Sequence, residues 1–330
     1  MTNNPRLLLW LAVAMLALLN YSAWNADYGT HTDNNPAADL FEQLHSSAFT
    51  AHPYQFPIIG WMNDIDRSTV DDLVRHYRTY YVPNNAFIVV VGDVDAGQLS
   101  GEVARAFGAV PAGDSPPRVR SLEPVQRGER QVELRREAEL PYVAIAFHSP
   151  NFNTSDGPAL EVLESLLAGG ESARLYKKLV YEERLARDVG ADYDSLWVDP
   201  GLFAVYGQPL PGKSVALLEQ ALLAEIRRLQ TTPPSAAELA KVKKGIEAAF
   251  VFAQDSLFYQ AQLLGEYEIS GDWRRIDEYL PAVRAVTADD VVRAAGFYLD
   301  ADNRTVATLV PLPSTERRPA PLPAPHAPVN

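Results

Sequence analysis

The sequence predicts an α/β (α+β) protein built from mixed sheets covered by helices, and two features predict it. The first is a unit of helix, turn and strand. Its helix begins near Ser68, residues 82–85 (Val-Pro-Asn-Asn) are a turn signal, and Phe87–Val91 is a continuous apolar run. Such a run is typical of a strand buried on both faces. The second feature is a longer series of apolar strands and amphipathic helices after residue 122.

Composition narrows the class of protein. A chain of 330 residues that is 47% hydrophobic suits about two domains, and 22% charged residues indicate a globular protein. The net charge of −13 argues against a nucleic-acid partner, tolerates unfolded or basic peptides, and also serves solubility. The chain has no cysteine, which excludes disulfides, thiolate nucleophiles and cysteine zinc sites.

The N-terminus predicts a membrane anchor or a signal segment over residues 1–26. Arg6 precedes the uncharged run Leu7–Leu19, and the apolar stretch extends to residues 7–24. That length is near the lower limit for a spanning helix. No small-x-small cleavage pattern follows, which favours an uncleaved anchor over a cleaved signal. Residues 27–36 read as a linker.

The first domain is predicted over residues 37–110. A helix is expected over Ala37–Phe49, and Ser68 with Asp71 resembles a capping box at the start of the next helix. A further helix is expected over Gln98–Phe107. The region supplies one convincing strand, and a lone buried strand leaves both edges unpaired. Residues 37–110 therefore look like the C-terminal part of a domain.

The second domain is predicted over residues 122–313, after a linker at 111–121 rich in proline and glycine. A proline-rich, disordered tail is expected over residues 314–330. The expected strands are a half-exposed one around Val132 and Leu134, then Tyr142–Phe147, Gly190–Leu196, Gly201–Tyr206 and Thr305–Val310. The expected helices are Pro158–Leu167, Ala173–Glu183, two that begin after Ser214 and Ser235, Asp272–Val283 and Thr287–Tyr298.

Three stretches carry a family resemblance. HPYQFPIIGW at residues 52–61 and YYVPNNAFIVVVGDVD at 80–95 resemble the middle of the insulinase-like (pitrilysin, M16) zinc peptidases of the bacterial two-domain type. LLAGGESARLYKKLVYEERLA at 166–186 resembles that family's GG-x-SSRL helix entry. The resemblance covers roughly residues 33–313. It implies M16-like sheets covered by helices, and descent from zinc-dependent endopeptidases that cleave peptides inside a chamber of paired domains.

The zinc motif of that family is absent from the chain. The family holds Zn²⁺ with His-x-x-Glu-His on one helix and a later glutamate. The six histidines here are never three or four residues apart: His31, His45, His52, His76, His148 and His326. The resemblance begins near His31, after the place of the last zinc glutamate, so the first domain is expected to be truncated. No cofactor is expected in this chain, and His31, His45 and His52 are the first to mutate if zinc-dependent activity is found.

Five residues are candidates for peptide or interdomain contact. Arg174 matches the arginine of the family's SRL motif, although an arginine at a helix start is often only a surface residue. His52 and Tyr54 belong to the His-Pro-Tyr pattern, and a lone histidine is often structural. Gly169 and Gly170 permit close backbone approach or simply end a helix.

A second family feature is not matched. Many members carry an arginine and, seven residues later, a tyrosine that reach the substrate from the second domain. Alignment on the motif at residues 172–175 puts Val180 and Arg187 at those positions.

Three functions remain open. The chain is a catalytically silent half-chamber that binds unfolded peptides or pairs with a zinc-bearing M16 partner subunit, which the absent motif favours. Alternatively, it is an active metallopeptidase whose zinc ligands come from another chain, or a truncated product without function. The apolar N-terminus predicts that the protein is anchored in the membrane facing the periplasm, or free in the periplasm if residues 1–26 are cleaved. The sequence contains neither a glycine-rich phosphate loop nor a Gly-x-Ser-x-Gly elbow, so these motifs indicate no other chemistry.

Overall fold

The computed structural model describes residues 35–312. Its helices are α1 Pro36–Ala48, α2 Met62–Arg67, α3 Val70–Tyr80, α4 Ala96–Phe107, α5 Gly157–Ala168, α6 Val215–Thr231, α7 Ala236–Ala253, α8 Leu257–Ser270, α9 Ile276–Ala285 and α10 Ala288–Tyr298. Its strands are β1 Arg130–Arg136, β2 Tyr142–Ser149, β3 Ala186–Tyr193, β4 Gly201–Pro209 and β5 Arg304–Pro311. A π-helical segment, Tyr176–Glu182, follows α5.

The five strands form one mixed sheet in the order β1-β5-β2-β4-β3. Strands β1 and β5 run parallel, and the other neighbours are antiparallel. Strand β2 lies between β4 and β5, and five of its eight residues in succession are buried. The continuous apolar run Tyr142–Phe147 predicted such a strand, because a strand covered on both faces needs apolar side chains on both.

The main core lies on one face of the sheet. Helices α5, α6 and α10 pack there, and Ile145, Phe147 and Phe203 are fully buried among their leucines and valines. Helix α6 buries Leu218, Leu222, Ile226 and Leu229, which recur at helical spacing. This periodicity is why the sequence located the helix correctly.

Helix α1 covers the opposite face of the same sheet. Leu40 and Leu44 are fully buried against Ala144, Ala146 and Ala307. The alanines let the helix approach the strands closely, since they project little beyond the backbone. Asn35 caps the helix by accepting hydrogen bonds from two backbone N–H groups. The first described helix is therefore part of the packing around the second-domain sheet.

Residues 56–94 leave apolar side chains uncovered within the described chain. We call this the open apolar surface. Its most exposed members are Phe56, Ile58, Met62, Val70, Leu73, Tyr77, Tyr81, Phe87, Ile88 and Val94. Four apolar residues recur at helical spacing along α3: Val70, Leu73, Val74 and Tyr77. They are not covered, since Leu73 is 64% exposed and Val70 is 74% exposed.

The prediction of a buried strand at Phe87–Val91 was wrong. The segment follows a 3-10 turn at Pro83–Asn85 and is assigned to no strand, and Ile88 is 56% exposed. Its backbone makes no hydrogen bond to another described residue. A continuous apolar pattern indicates a strand that adjacent strands and helices bury. Within residues 35–312, no strand lies beside Phe87–Val91. The cap of α3 also differs by one position, because Thr69 and Asp72 form the capping box.

The second-domain elements follow the predictions closely. The predicted strands Gly190–Leu196 and Gly201–Tyr206 pair antiparallel as β3 and β4. Two features were missed. Helix α8 was not predicted, and the predicted helix Ala173–Glu183 is largely π-helical. The linker at 111–121 contains no helix or strand.

Membrane crossing can be assessed only where the chain is described. None of the helices between residues 35 and 312 combines the length and apolarity that a bilayer crossing needs. The predicted anchor at residues 7–24 and the predicted tail at 314–330 lie outside the described residues.

Candidate functional site

Two predicted site residues, His52 and Tyr54, lie where the first predicted domain meets the second. His52 Nε2 donates to Asp199 Oδ2 at 3.2 Å, and His52 Nδ1 accepts from the Tyr54 backbone N–H at 3.3 Å. The Tyr54 hydroxyl accepts from the Asp199 backbone N–H at 3.1 Å. His52 is 5% exposed. The two side chains therefore fasten the segment after α1 to the loop between β3 and β4.

Aromatic rings surround these hydrogen bonds. The Tyr54 ring meets the Trp197 ring edge-on at 4.5 Å between centroids, and the Phe49 ring meets His148 at 5.0 Å. We call Phe49, His52, Tyr54, His148 and Trp197 the junction cluster. Edge-to-face pairs of this kind add to the free energy of burial.

Glu123 completes the junction from the linker side. Its carboxylate accepts four hydrogen bonds of 2.8–2.9 Å, from the Thr50 hydroxyl and from the backbone N–H groups of Thr50, Ala51 and His52. Burial alone would raise the pKa of Glu123, but these four donors favour the ionised form and lower it to about 2. Sequence reasoning missed Glu123 and Asp199 because 71 and 147 positions separate them from His52.

The histidines near the junction do not fit a zinc site. His45 Nδ1 bonds to the Phe41 carbonyl, His52 bonds to Asp199, and His148 Nε2 bonds to the Ala48 carbonyl. Burial lowers the pKa of His148, which disfavours the charged form of its ring. Their rings pack around Phe49 rather than converging on a common point. Among residues 35–312, no group of three His, Cys, Asp or Glu side chains could hold a metal ion. His31 lies outside this range.

The other predicted residues lie at the end of α5. Arg174 forms a two-pronged ion pair with Glu238 at the start of α7, with N–O distances of 2.7 and 2.8 Å. Hydrogen bonding to Arg174 lowers the pKa of Glu238. Arg174 is thus engaged with another helix, and its assignment to peptide contact stays a prediction.

Gly169 and Gly170 shape the exit from α5. A Cβ at Gly169 would lie 2.5 Å from the Ser165 carbonyl oxygen, and Gly170 has a φ of +109°. Both positions therefore require glycine for the turn. Gly169 lines a cavity of about 610 Å³ between α5 and α7, together with Glu238 and Lys241. Val180 and Arg187 stand at the positions of the family's arginine and tyrosine. Val180 packs against the core, and Arg187 is exposed.

A second, smaller cavity adjoins the first and was missed from the sequence. Two glutamates of α5, Glu161 and Glu164, line about 270 Å³ of space beneath α7, α8 and α9. Burial raises the pKa of Glu164 to about 7, with further contributions from Asp192 and Glu161. Their spacing of three residues on one helix face was the available signal. Nothing in the sequence indicated that other helices would cover them.

Comparison with known proteins identifies what this arrangement resembles. A family model described as the peptidase M16 inactive domain matches residues 67–246. The zinc protease PqqE of Helicobacter pylori is 29% identical over 283 residues, which are 85% of this chain and 64% of the relative. The chain thus spans less than two thirds of that relative's length.

Solved structures agree with the family model. The crystal structure of a protease from Helicobacter pylori is 28% identical, with a TM-score of 0.83 over 89% of this chain and 72% of that one. The peptidase M16 inactive domain from Pseudomonas fluorescens matches with a TM-score of 0.76 over 93% of this chain and 72% of the other. Since its identity is 17%, this second structure supports the fold alone.

Proposed function

The chain belongs to the peptidase M16 family, and from this premise we propose that it is a non-catalytic subunit that binds peptides and pairs with a zinc-bearing M16 chain. The observation that carries the pairing is the open apolar surface. On α3, Val70, Leu73 and Tyr77 are each more than 60% exposed. Contiguous exposed apolar patches of this kind mark interaction sites in soluble proteins.

The backbone beside α3 also favours a protein partner. The segment Phe87–Val91 has apolar side chains, and its peptide groups form no hydrogen bonds to other described residues. Extended segments with free N–H and C=O groups pair readily with strands of another chain. A partner that offers strands and an apolar face would satisfy both features at once.

The side chains available for chemistry support a silent role for this chain alone. The motif His-x-x-Glu-His does not occur in the sequence. The rings of His45, His52 and His148 are hydrogen-bonded within the protein. We therefore propose that the zinc chemistry belongs to the partner chain.

A cleavage assay tests the silent role. The purified full-length chain is incubated with an unstructured fluorogenic peptide, with and without EDTA, and its zinc content is measured. We expect no cleavage and no stoichiometric zinc. EDTA-sensitive cleavage by the pure chain would refute the proposal and direct mutagenesis to His31, His45 and His52.

Pairing is tested with a charge on the open apolar surface. Leu73→Glu should abolish co-purification with an M16 chain of the same source that carries His-x-x-Glu-His, because it places a carboxylate where the partner packs. Leu217→Glu is the matched control, since Leu217 is a 47% exposed leucine of α6 in the second domain. Equal co-purification of both variants with the partner would contradict the proposal.

A second candidate, an active peptidase completed by another chain, is favoured by the name zinc protease carried by the relative at 29% identity. It predicts EDTA-sensitive cleavage by the mixture of chains that exceeds cleavage by the zinc-bearing chain alone. Aggregation of the isolated chain, with proteolytic loss of residues 37–110, would instead indicate a product without function.

The location of the protein is a further part of the proposal. Residues 7–24 would hold the chain in a membrane with the second domain in the periplasm, or direct its secretion there if the segment is removed. Fractionation of cells, with N-terminal sequencing of the recovered protein, separates an uncleaved anchor from a cleaved signal.

A further inference from the structure

The second domain contains a small cavity whose walls are acidic and aromatic. We call it the acidic cavity. It lies between α5 on one side and α7, α8 and α9 on the other, with a volume of about 270 Å³. The residues that matter to its chemistry are Glu161, Glu164, Asp194, Ser195, Tyr259 and Tyr279.

Among the described residues, the acidic cavity has no basic side chain in its own lining. Glu161, Glu164 and Asp194 line it, whereas none of its lining residues within the described chain is a lysine or an arginine. Two basic residues that line the adjoining cavities, Lys241 and Arg275, are engaged with other groups. Arg275 bonds to the Phe152 carbonyl and to Asn153, and Lys241 bonds to Ser172. Carboxylates removed from water need a cation or a proton to be stable.

One oxygen atom points to a missing donor. The Ser195 hydroxyl donates to Glu161 Oε1. Glu161 Oε2 is buried, and no described donor meets it with hydrogen-bond geometry. The Tyr279 hydroxyl interacts with the same carboxylate as a hydrogen-bonding group, which opposes the effect of burial on the pKa of Glu161 and, together with burial, raises the pKa of Tyr279. It does not meet Oε2 with hydrogen-bond geometry, so that one atom stays without a donor among the described residues. Buried acceptors are satisfied in nearly all native proteins, so an unsatisfied one requires an explanation.

The titration behaviour of the two glutamates agrees with a site that lacks its cation. Burial raises the pKa of Glu161 and raises that of Glu164 to about 7. An opposite charge within about 4–6 Å would lower both pKa values again. The free cavity therefore retains protons that a bound cation would displace.

The volume of the acidic cavity and its lining residues indicate which kind of cation it could bind. A volume of about 270 Å³ lies below the roughly 300–1,000 Å³ of sites for drug-sized ligands, and suits one extended side chain. Tyr259 and Tyr279 line the cavity, and aromatic rings attract ammonium and guanidinium groups. A metal ion is disfavoured, because residues 35–312 hold no suitable group of three ligands.

We propose that the acidic cavity binds the cationic side chain of a lysine or arginine residue in a peptide. The charged group meets Glu161 and Glu164, and its apolar stem lies against the rings of Tyr259 and Tyr279. This deepens the peptide-binding part of the proposed function by naming the residue class that is recognised. It does not depend on pairing, since the cavity is built from residues of one chain.

The test is a calorimetric or NMR titration of the full-length chain, without a partner, at pH 8, where Glu164 is largely ionised. The probes are N-acetyl-lysinamide and N-acetyl-argininamide. Their neutral counterparts are N-acetyl-norleucinamide and N-acetyl-citrullinamide. We expect the cationic probes to bind about tenfold or more tightly than the neutral ones, and we expect Glu164→Gln to remove most of that difference.

A matched variant separates the cavity from general acidity. Glu219→Gln removes a partly buried carboxylate of α6, whose pKa burial also raises but which lies outside the cavity. It should bind the cationic probes like the unmodified chain. If Glu161→Gln does not fold, Glu164→Gln and the neutral probes still decide the question. Equal binding of charged and neutral probes, unchanged binding in Glu164→Gln, or no saturable binding would overturn the proposal.

Binding and pairing can fail separately. Leu73→Glu leaves the acidic cavity untouched, so its isolated chain should bind the cationic probes normally. Loss of partner binding with intact probe binding would sustain the cavity proposal. Intact pairing without probe binding would refute the cavity proposal alone.

Discussion

One carboxylate connects the start of the predicted second domain to the segment after α1. Glu123 accepts four hydrogen bonds from Thr50, Ala51 and His52. A carboxylate with this many donors resembles an N-cap in its chemistry, although the donors belong to a loop. The junction cluster rests on this anchor, since His52 then reaches Asp199 in the second domain.

Replacing Glu123 should therefore loosen the junction. Glu123→Gln is expected to lower the free energy of unfolding by about 1–2 kcal/mol at pH 7, because an amide accepts these hydrogen bonds more weakly than a carboxylate. Glu123 is partly exposed to solvent, which weakens its electrostatic contribution. Urea denaturation measures the change, and Glu102→Gln on α4 serves as an exposed control expected within about 0.5 kcal/mol of the unmodified chain.

The same variant has a defined pH dependence. The pKa of Glu123 is lowered from 4.5 to about 2 on folding, so its stabilisation is present above pH 4.5. It is lost as the pH falls through the folded value. The difference between the two proteins should therefore shrink as the pH falls from 4.5 towards 2. A difference that stays constant across this range would show that the charge of Glu123 does not carry the effect.

Individual site residues were only partly predictable from the sequence. His52 and Tyr54 could be selected from their motif, and Gly169 and Gly170 from their conformational freedom. The hydrogen-bond partners of His52 could not be predicted, because Asp199 and Glu123 approach it only when the chain is folded. The acidic cavity combines residues of α5 with residues from α7, α8 and α9, and spacing along one helix reveals only the first of these.

At the scale of elements, close approach in the strand pair β3 and β4 depends on one glycine. A Cβ at Gly190 would lie 2.5 Å from the ring of Tyr206. That ring is stacked on Tyr142 at 6.2 Å between centroids, so it cannot shift without disturbing β2. The sequence of Gly190–Leu196 indicated a strand, but it did not indicate this contact with Tyr206.

Gly190→Ala should therefore destabilise the protein by about 1–3 kcal/mol, as expected for overpacking in a fixed environment. Gly245→Ala is the matched control. It lies inside α7 with no atom within 4 Å of its added Cβ, and should raise stability by about 0.5–1 kcal/mol. Thermal unfolding of the two variants compares them directly. Similar shifts in both would argue against the Tyr206 contact.

Helices and strands of the second domain were predictable because their cover lies within the same chain. For α6 and β2, apolar periodicity corresponds to burial. For Phe87–Val91 an apolar pattern does not correspond to burial, because neighbouring strands would be needed to bury this segment. Helix α8 escaped prediction since only Leu263, Tyr267 and Ser270 are buried and its apolar residues are spread around it.

At the scale of the whole molecule, stability should be unevenly distributed. Amides of Phe87–Val91 should exchange with solvent within seconds, whereas those of β2, held between β4 and β5, should be protected by orders of magnitude. Hydrogen exchange with mass spectrometry measures both. Addition of the zinc-bearing partner should slow exchange at 86–91 and leave β2 unchanged. Strong protection of residues 86–91 in the isolated chain would contradict the open apolar surface.

The order of strands in the sheet has a consequence for synthesis of the protein. Strand β5, the last of the five described strands to be made, lies between β1 and β2, and its Ala307 and Leu309 pack against α1. While the chain grows on the ribosome, β1 has no neighbour in the sheet and Leu40 and Leu44 of α1 lack part of their cover. Contacts across 175 positions between β1 and β5, and across more than 250 positions between α1 and β5, must then form after residue 311 emerges, and such long-range closure is slow. Nascent chains of this protein therefore present apolar helix and strand surfaces to chaperones until translation has passed β5.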